Sequence, residues 1–272
     1  MTSGVCADSI VSASFILLYL LPVLFAAVAF LYAMAGFGGG STYIALLAIS
    51  GLPLAVVPVL ALSCNLVVTA QGSWLLIRKG LAEWKLLIPL LSASIPCAFI
   101  GGMWRLPEAA FLNVLAVALT VAGLLMWWQN RMQLLKESEG ASLRQPNVGV
   151  VLVVGAGLGL LAGVTGIGGG IYLAPVMHLL RWSKAQSIAA CTSIFIALNS
   201  LSGLVGQLSK GTDVLAEVPL WLLVSCPIFV LIGGRLGSIQ LSDRFSAERI
   251  RSVTAVVILL VAARLWLKVF AG

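Results

Sequence analysis

The chain of 272 residues is 61% hydrophobic and only 9% charged, with a mean hydropathy of +1.11, which is more apolar surface than a soluble fold of this length could bury. An excess of 16 Lys and Arg over 9 Asp and Glu would suggest nucleic acid in a soluble protein, but here the basic residues flank apolar runs and report topology instead. Five scattered cysteines without a CxxC pair, and a single histidine, indicate neither a disulfide framework nor a metal site.

Residues 1–14 contain Asp8 and no Lys or Arg, so they lack the positive start of a signal peptide and are expected to form an extracytoplasmic tail. Apolar runs then fall near 15–35, 42–51, 54–77, 86–104 and 109–128, and again near 147–165, 171–180, 185–209, 218–238 and 250–270. The polar stretch between them divides the chain into a first membrane repeat at 15–129, a cytoplasmic linker at 130–146 and a second membrane repeat at 147–272. The second run of each half is short: about ten residues rise roughly 15 Å, against a hydrocarbon core of about 30 Å. Each is expected to be a half-helix.

Each half-helix starts at a glycine cluster. Ala35-Gly36-Phe37-Gly38-Gly39-Gly40 lines up with Thr165-Gly166-Ile167-Gly168-Gly169-Gly170 at a spacing of 130 residues. Such clusters cannot be ordinary helix interior, because each Gly costs about 1 kcal/mol there relative to Ala. A broken backbone persists in hydrocarbon only where protein or a water-filled cavity satisfies it, so paired breaks in two halves point to a transport site. Weaker matches run in the same order: Pro96 with Pro227, Gly101-Gly102 with Gly233-Gly234, and Lys79-Gly80 with Lys210-Gly211.

Charge placement tests the parity of crossing. If each half crosses an odd number of times, twelve cations share one face and four, Arg105, Lys210, Arg264 and Lys268, share the other; even parity divides them nine to seven. The positive-inside rule favours the first arrangement, with both termini outside the cytoplasm. The expected fold is therefore an all-α integral membrane protein of two inverted repeats, about five segments each, with glycine-broken half-helices.

A helix N-terminus leaves unpaired N–H groups and carries about half a positive charge, so it attracts anions. Inverted symmetry would aim two such ends at one point. The candidate substrate-binding residues are Gly38, Gly39, Gly40 and Ser41 in the first half and Thr165, Gly168, Gly169 and Gly170 in the second. Thr42 offers a further hydroxyl. No Lys follows either cluster, which excludes a nucleotide P-loop. The rival reading is that the glycines only permit close helix packing.

Among polar residues inside apolar runs, Asn65, Thr192, Ser193 and Asn199 either line the pathway or bond a neighbouring helix, whereas Thr69, Gln71 and Gln207 are expected to bond structurally. His178 is expected to pack near a loop end, Arg264 to snorkel, and Trp127, Trp128, Trp221 and Trp266 to anchor at the interface.

Gly166-Ile-Gly-Gly-Gly-Ile-Tyr-Leu-Ala-Pro175 followed by Ala189-Ala-Cys-Thr192-Ser193 resembles the second-half signature of the TauE/SafE sulfite exporter family, also called the toluene sulfonate uptake permease family. Gly80-Leu-Ala-Glu-Trp84 resembles its first-half loop motif, and the likeness extends over roughly 20–268. The resemblance implies movement of sulfite, sulfonates and related small organic anions across a bacterial inner membrane. The first half departs from the pattern: Ala45 stands where the second has Pro175, and Ala61-Leu-Ser63 replaces Ala-Thr-Ser. Unequal half-sites are expected.

All nine acidic residues fall in tails, loops or helix ends, so no carboxylate proton relay is expected. For a dianion leaving a negative interior the potential supplies on the order of 4–5 kcal/mol at 100 mV, so export needs no coupling ion. The reading is a secondary transporter or facilitator, most simply an exporter, of a small sulfur-containing anion by alternating access. No enzyme activity, cofactor, metal or nucleic acid is expected; the partners are the substrate anion and the lipid bilayer. The alternatives are an anion channel and a non-transport membrane assembly factor. Which anion moves, and whether the chain pairs as a homodimer, stay open.

Overall fold

The computed structural model describes residues 18–33, 38–136, 146–211, 218–239 and 247–271. The expected tail, residues Ala35 to Phe37 of the first glycine cluster and most of the linker lie outside them.

Among the described residues the chain is all-helical. The elements are α1 (Leu18–Ala33), α2 (Gly40–Ile49), α3 (Val56–Arg78), α4 (Trp84–Met103), α5 (Glu108–Lys136), α6 (Val148–Thr165), α7 (Gly170–Leu179), α8 (Ala185–Leu208), α9 (Leu220–Ile239) and α10 (Ala247–Ala271). They follow the apolar runs read from the sequence, except that α5 continues through Lys136, into the expected linker. Among the described residues, six helices are long and apolar enough to cross a membrane: α3, α4, α6, α8, α9 and the first part of α5. The chain is a multi-pass membrane protein. Its short helices α2 and α7 have ten residues each, as expected of half-helices.

Small residues set the packing. A Cβ added at Gly155, Gly159 or Gly163 of α6 would strike the backbone carbonyl of Leu90, Ser94 or Ala98 in α4, so these two helices run parallel with their backbones nearly touching. Glycines spaced four apart share one face, which is what such close approach requires. On the other side of the protein α9 repeats the arrangement: Gly233 and Gly237 abut the carbonyls of Ala26 and Phe30 in α1. Several further pairs follow suit. α2 packs on α3 and α10, α7 on α8 and α5, α4 on α8, and α9 on α3, so exchanging the two halves carries each pair into the other. The self-paired contacts α3–α8 and α5–α10 join the halves at the middle.

Two buried clusters result, one around Phe25, Tyr43, Leu60 and Leu115, the other around Leu87, Leu90, Met177 and Phe195. The outer faces carry exposed Leu, Ile, Val and Trp, as lipid contact demands. Trp127, Trp128 and Trp221 are among them. The Trp266 indole N–H donates to the Thr120 hydroxyl at 3.1 Å, tying α10 to α5.

Candidate functional site

The two glycine clusters meet in the protein interior, and they are glycine for different reasons. In the second, Gly166, Gly168 and Gly169 have φ of 78°, 81° and 75°, the left-handed region that a Cβ disfavours. Gly166 ends α6 in this conformation and donates to the Ala162 carbonyl at 2.9 Å. The Thr165 hydroxyl closes the same turn, donating to Leu161 O at 2.6 Å and accepting from the Ile167 N–H at 3.3 Å. In the first cluster Gly39 has an ordinary φ of −89°. There the need is space: a Cβ at Gly38 would run into the Asn65 carboxamide, and one at Gly40 into the Ile167 carbonyl of the other cluster. Both α2 and α7 begin without a side-chain cap, so their first-turn N–H groups face the junction uncapped.

Asn65 stands between the clusters. Fully buried on α3, it donates to Ile167 O at 3.3 Å and to the Ser200 hydroxyl at 3.1 Å, and a Cβ at Gly168 would collide with its amide nitrogen. Its carbonyl oxygen is buried without a hydrogen-bond partner. Two hydroxyls in the same condition flank the half-helix starts. The Tyr43 hydroxyl lies 2.8 Å from where a Gly39 Cβ would stand, its ring packed on Phe25 at 4.6 Å. Thr192, whose methyl faces Gly170, is the other. Buried polar groups are rarely left unpaired, and three of them adjoin this one junction.

Tyr43 was not among the sequence candidates. Its signal is its position one turn into the helix, because helical side chains lean toward the N-terminus and so bring this hydroxyl back over the glycines.

The other expected residues divide. Ser41 is buried on the first turn of α2, and the neighbouring Thr42 hydroxyl pairs with Tyr32 at 2.8 Å. Ser193 bonds α3, through the Ser73 hydroxyl at 3.2 Å and the Thr69 carbonyl at 3.4 Å. Asn199 donates to Ser94 on α4 at 3.0 Å and to Phe195 O at 2.8 Å, leaving its own carbonyl oxygen without a partner. Ser193 and Asn199 bond neighbouring helices, as Asn65 does through Ser200, and of these residues Asn65 and Thr192 adjoin the junction. Thr69, Gln71 and Gln207 bond backbone carbonyls, as expected.

The half-helices leave the junction toward opposite ends of α4. The C-terminal end of α2 lines a cavity of about 740 Å³ together with Trp104, just past α4, and Gln207 at the end of α8. α7 instead leads to Ser183, whose hydroxyl donates to the Glu83 carboxylate at the start of α4.

Comparison with known proteins agrees in kind. The family described as "Sulfite exporter TauE/SafE" matches residues 20–265. A Sinorhizobium fredii protein named "Probable membrane transporter protein y4hK" is 32% identical over 247 residues, 90% of this chain and 96% of its own. A Haemophilus influenzae protein named "Probable membrane transporter protein" is 43% identical over 54 residues, 20% of each chain. No solved structure matches.

Proposed function

For this chain, which belongs to the sulfite exporter TauE/SafE family, we propose that the glycine junction is the substrate site of a secondary transporter that exports a small sulfur-containing anion, such as sulfite or a sulfonate, across the bacterial inner membrane. The observation that carries the reading is the convergence of two uncapped half-helix starts on one buried point, with unpaired side-chain groups of Tyr43, Asn65 and Thr192 around it. Backbone N–H groups and helix dipoles favour negative charge there. Neutral donors suit a ligand that must also leave.

The two halves are inverted repeats that rock about the junction. Support comes from the exchange pattern of the packing and from the half-helices' departure toward opposite ends of α4. The cation count favours Arg78, Lys79, Arg181 and Lys184 in the cytoplasm, and the cavity beside Arg105 outside.

The test is thermal stabilisation of the detergent-purified protein by sulfite, thiosulfate, sulfate, sulfoacetate, taurine and formate, with sulfite counterflow in proteoliposomes. A ligand that binds the native state raises its melting temperature by mass action. A shift with a sulfur anion that disappears in Gly169→Ala is the expected result. No shift with any anion, from folded protein, refutes the reading.

A further inference from the structure

The cavity at the ends of α2, α4 and α8 was invisible in the sequence, where Arg105 and Lys210 read only as two cations on the cation-poor face. We propose that this cavity is an anion-binding vestibule, in which the Arg105 guanidinium and the Lys210 ammonium jointly hold a small oxyanion on its way to or from the glycine junction. The proposal deepens the transport reading above and takes only the identity of the anion from it.

Four observations support it. First, the cavity, of about 740 Å³, is far larger than one small oxyanion and its water, and among the described residues its charged wall groups are Arg105, Lys210 and one acid, Glu108. Among these, cations outnumber the acid. Second, the two cations are held rather than loose. Arg105 donates to the Lys210 carbonyl, and Lys210 donates to the Gln207 side-chain oxygen at 2.8 Å, while Gln207 donates in turn to Gly163 O at 3.0 Å. A guanidinium has five N–H donors and an ammonium three, so these bonds leave donors for a ligand. Third, burial holds the Lys210 ammonium below the ordinary lysine range and the nearby Arg105 charge pushes it the same way, so the two cations share one electrostatic neighbourhood. Fourth, the inner wall includes Pro58 and Val164, and a Cβ at Gly166 would lie 2.7 Å from Pro58 Cα. The floor is thus one residue layer from the second glycine cluster.

The plainer alternative is that Arg105 only ties the α4–α5 turn to the end of α8. A tie needs neither the cavity nor Lys210's ammonium. It also predicts that charge at position 105 matters to stability and not to anions.

Trp104 on the cavity wall, 56% exposed, supplies a readout independent of transport. Full-length protein in neutral detergent is titrated with iodide and, separately, with uncharged acrylamide, and the Trp104 signal is isolated by difference from Trp104→Phe. Iodide should quench Trp104 out of proportion to acrylamide, sulfite should suppress that quenching, and Arg105→Gln and Lys210→Gln should each weaken it by about tenfold, the lower end of what a charged cleft does to local anion concentration. Arg105→Lys should preserve it, which separates charge from folding. In proteoliposomes the two Gln variants should raise the half-saturation concentration for sulfite.

Equal quenching by iodide and acrylamide in the native protein overturns the vestibule. So does an iodide signal unchanged in both Gln variants while sulfite flux persists. Protection by phosphatidylglycerol but not by sulfite would make the cavity a lipid headgroup seat and also overturns it. An intact iodide signal, suppressed by sulfite and lowered by the Gln variants, in a protein that moves no sulfite, sinks only the transport reading.

Discussion

Gly168→Ala should cost more than its backbone conformation explains, and the excess should vanish when Asn65 is removed. At φ 81° an added Cβ costs about 1–2 kcal/mol in left-handed strain. It would also displace the Asn65 amide, breaking the bonds to Ile167 O and Ser200. Hydrogen bonds between membrane helices average about 0.6 kcal/mol each and reach about 1.7, so losing two adds about 1–3 kcal/mol. Gly80→Ala is the internal control: its φ is 68°, with nothing within 4 Å of the added carbon, so only the strain remains. The assay is equilibrium unfolding in mixed micelles, followed by far-ultraviolet circular dichroism, for Gly168→Ala, Asn65→Ala and the double variant. Ser200 Oγ at 2.9 Å and Ile196 Cγ2 at 3.0 Å from the added carbon are present in both backgrounds and cancel in the cycle. The expected coupling, about 1–3 kcal/mol, exceeds the roughly 0.5 kcal/mol scatter of independent sites. Equal cost in both backgrounds would refute the claim that Asn65 holds the two clusters together.

Gly159→Ala should destabilise by about 1–3 kcal/mol through overpacking against the Ser94 carbonyl, while Gly157→Ala, which meets nothing within 4 Å, should gain about 0.5–1 kcal/mol from lost chain entropy. Equal melting temperatures for the two would refute the α4–α6 packing account. Ser183→Ala removes the bond to Glu83 that joins the α3–α4 and α7–α8 turns, so the fully buried Cys191 beneath them should label faster with N-ethylmaleimide, read by mass spectrometry; an unchanged rate counts against a closure at this end. In the vestibule, sulfite affinity should fall as pH rises through the lowered Lys210 pKa, and Arg105→Gln should move that fall to higher pH by removing a like charge, Glu108 being the acid on the same wall. Half-saturation concentrations measured from about pH 8 to 11 check this, and coincident profiles refute it.

The helices were legible because hydropathy and glycine clustering are local signals. Runs near 42–51 and 171–180 became α2 and α7 with shifts of one or two residues. Asn65 was legible as a buried amide needing a partner, but not its position between the clusters, since Ile167 and Ser200 are 102 and 135 residues away. No periodicity reports such a pairing. Tyr43 was overlooked because an aromatic residue in an apolar run looks like core until its unpaired hydroxyl is placed against Gly39. The vestibule was hidden for a similar reason: Arg105 and Lys210 are separated by 105 residues and meet only when the turns after α4 and α8 come together.

The halves share a packing plan but not a chemistry, and that difference bears on how the site would work. At the repeat spacing of 130, Asn65 corresponds to Phe195 and Thr192 to Leu62, so each half gives one polar group where the other gives an apolar one. Phe195 packs beside Gly169, 2.9 Å from where its Cβ would stand, while Asn65 lies beside Gly168 and Gly38. Identical halves would surround an anion with equal donors on either side. Unequal ones would let it exchange bonds on one side while rocking opened the other. The Arg105 and Lys210 charges sit elsewhere, on the cavity wall, where they would raise the local anion concentration without needing to release a ligand from a desolvated site. A buried cation at the junction would hold an anion too tightly, because charge attraction strengthens as the dielectric falls. Separating strong charges in the vestibule from neutral donors at the junction would allow both capture and release.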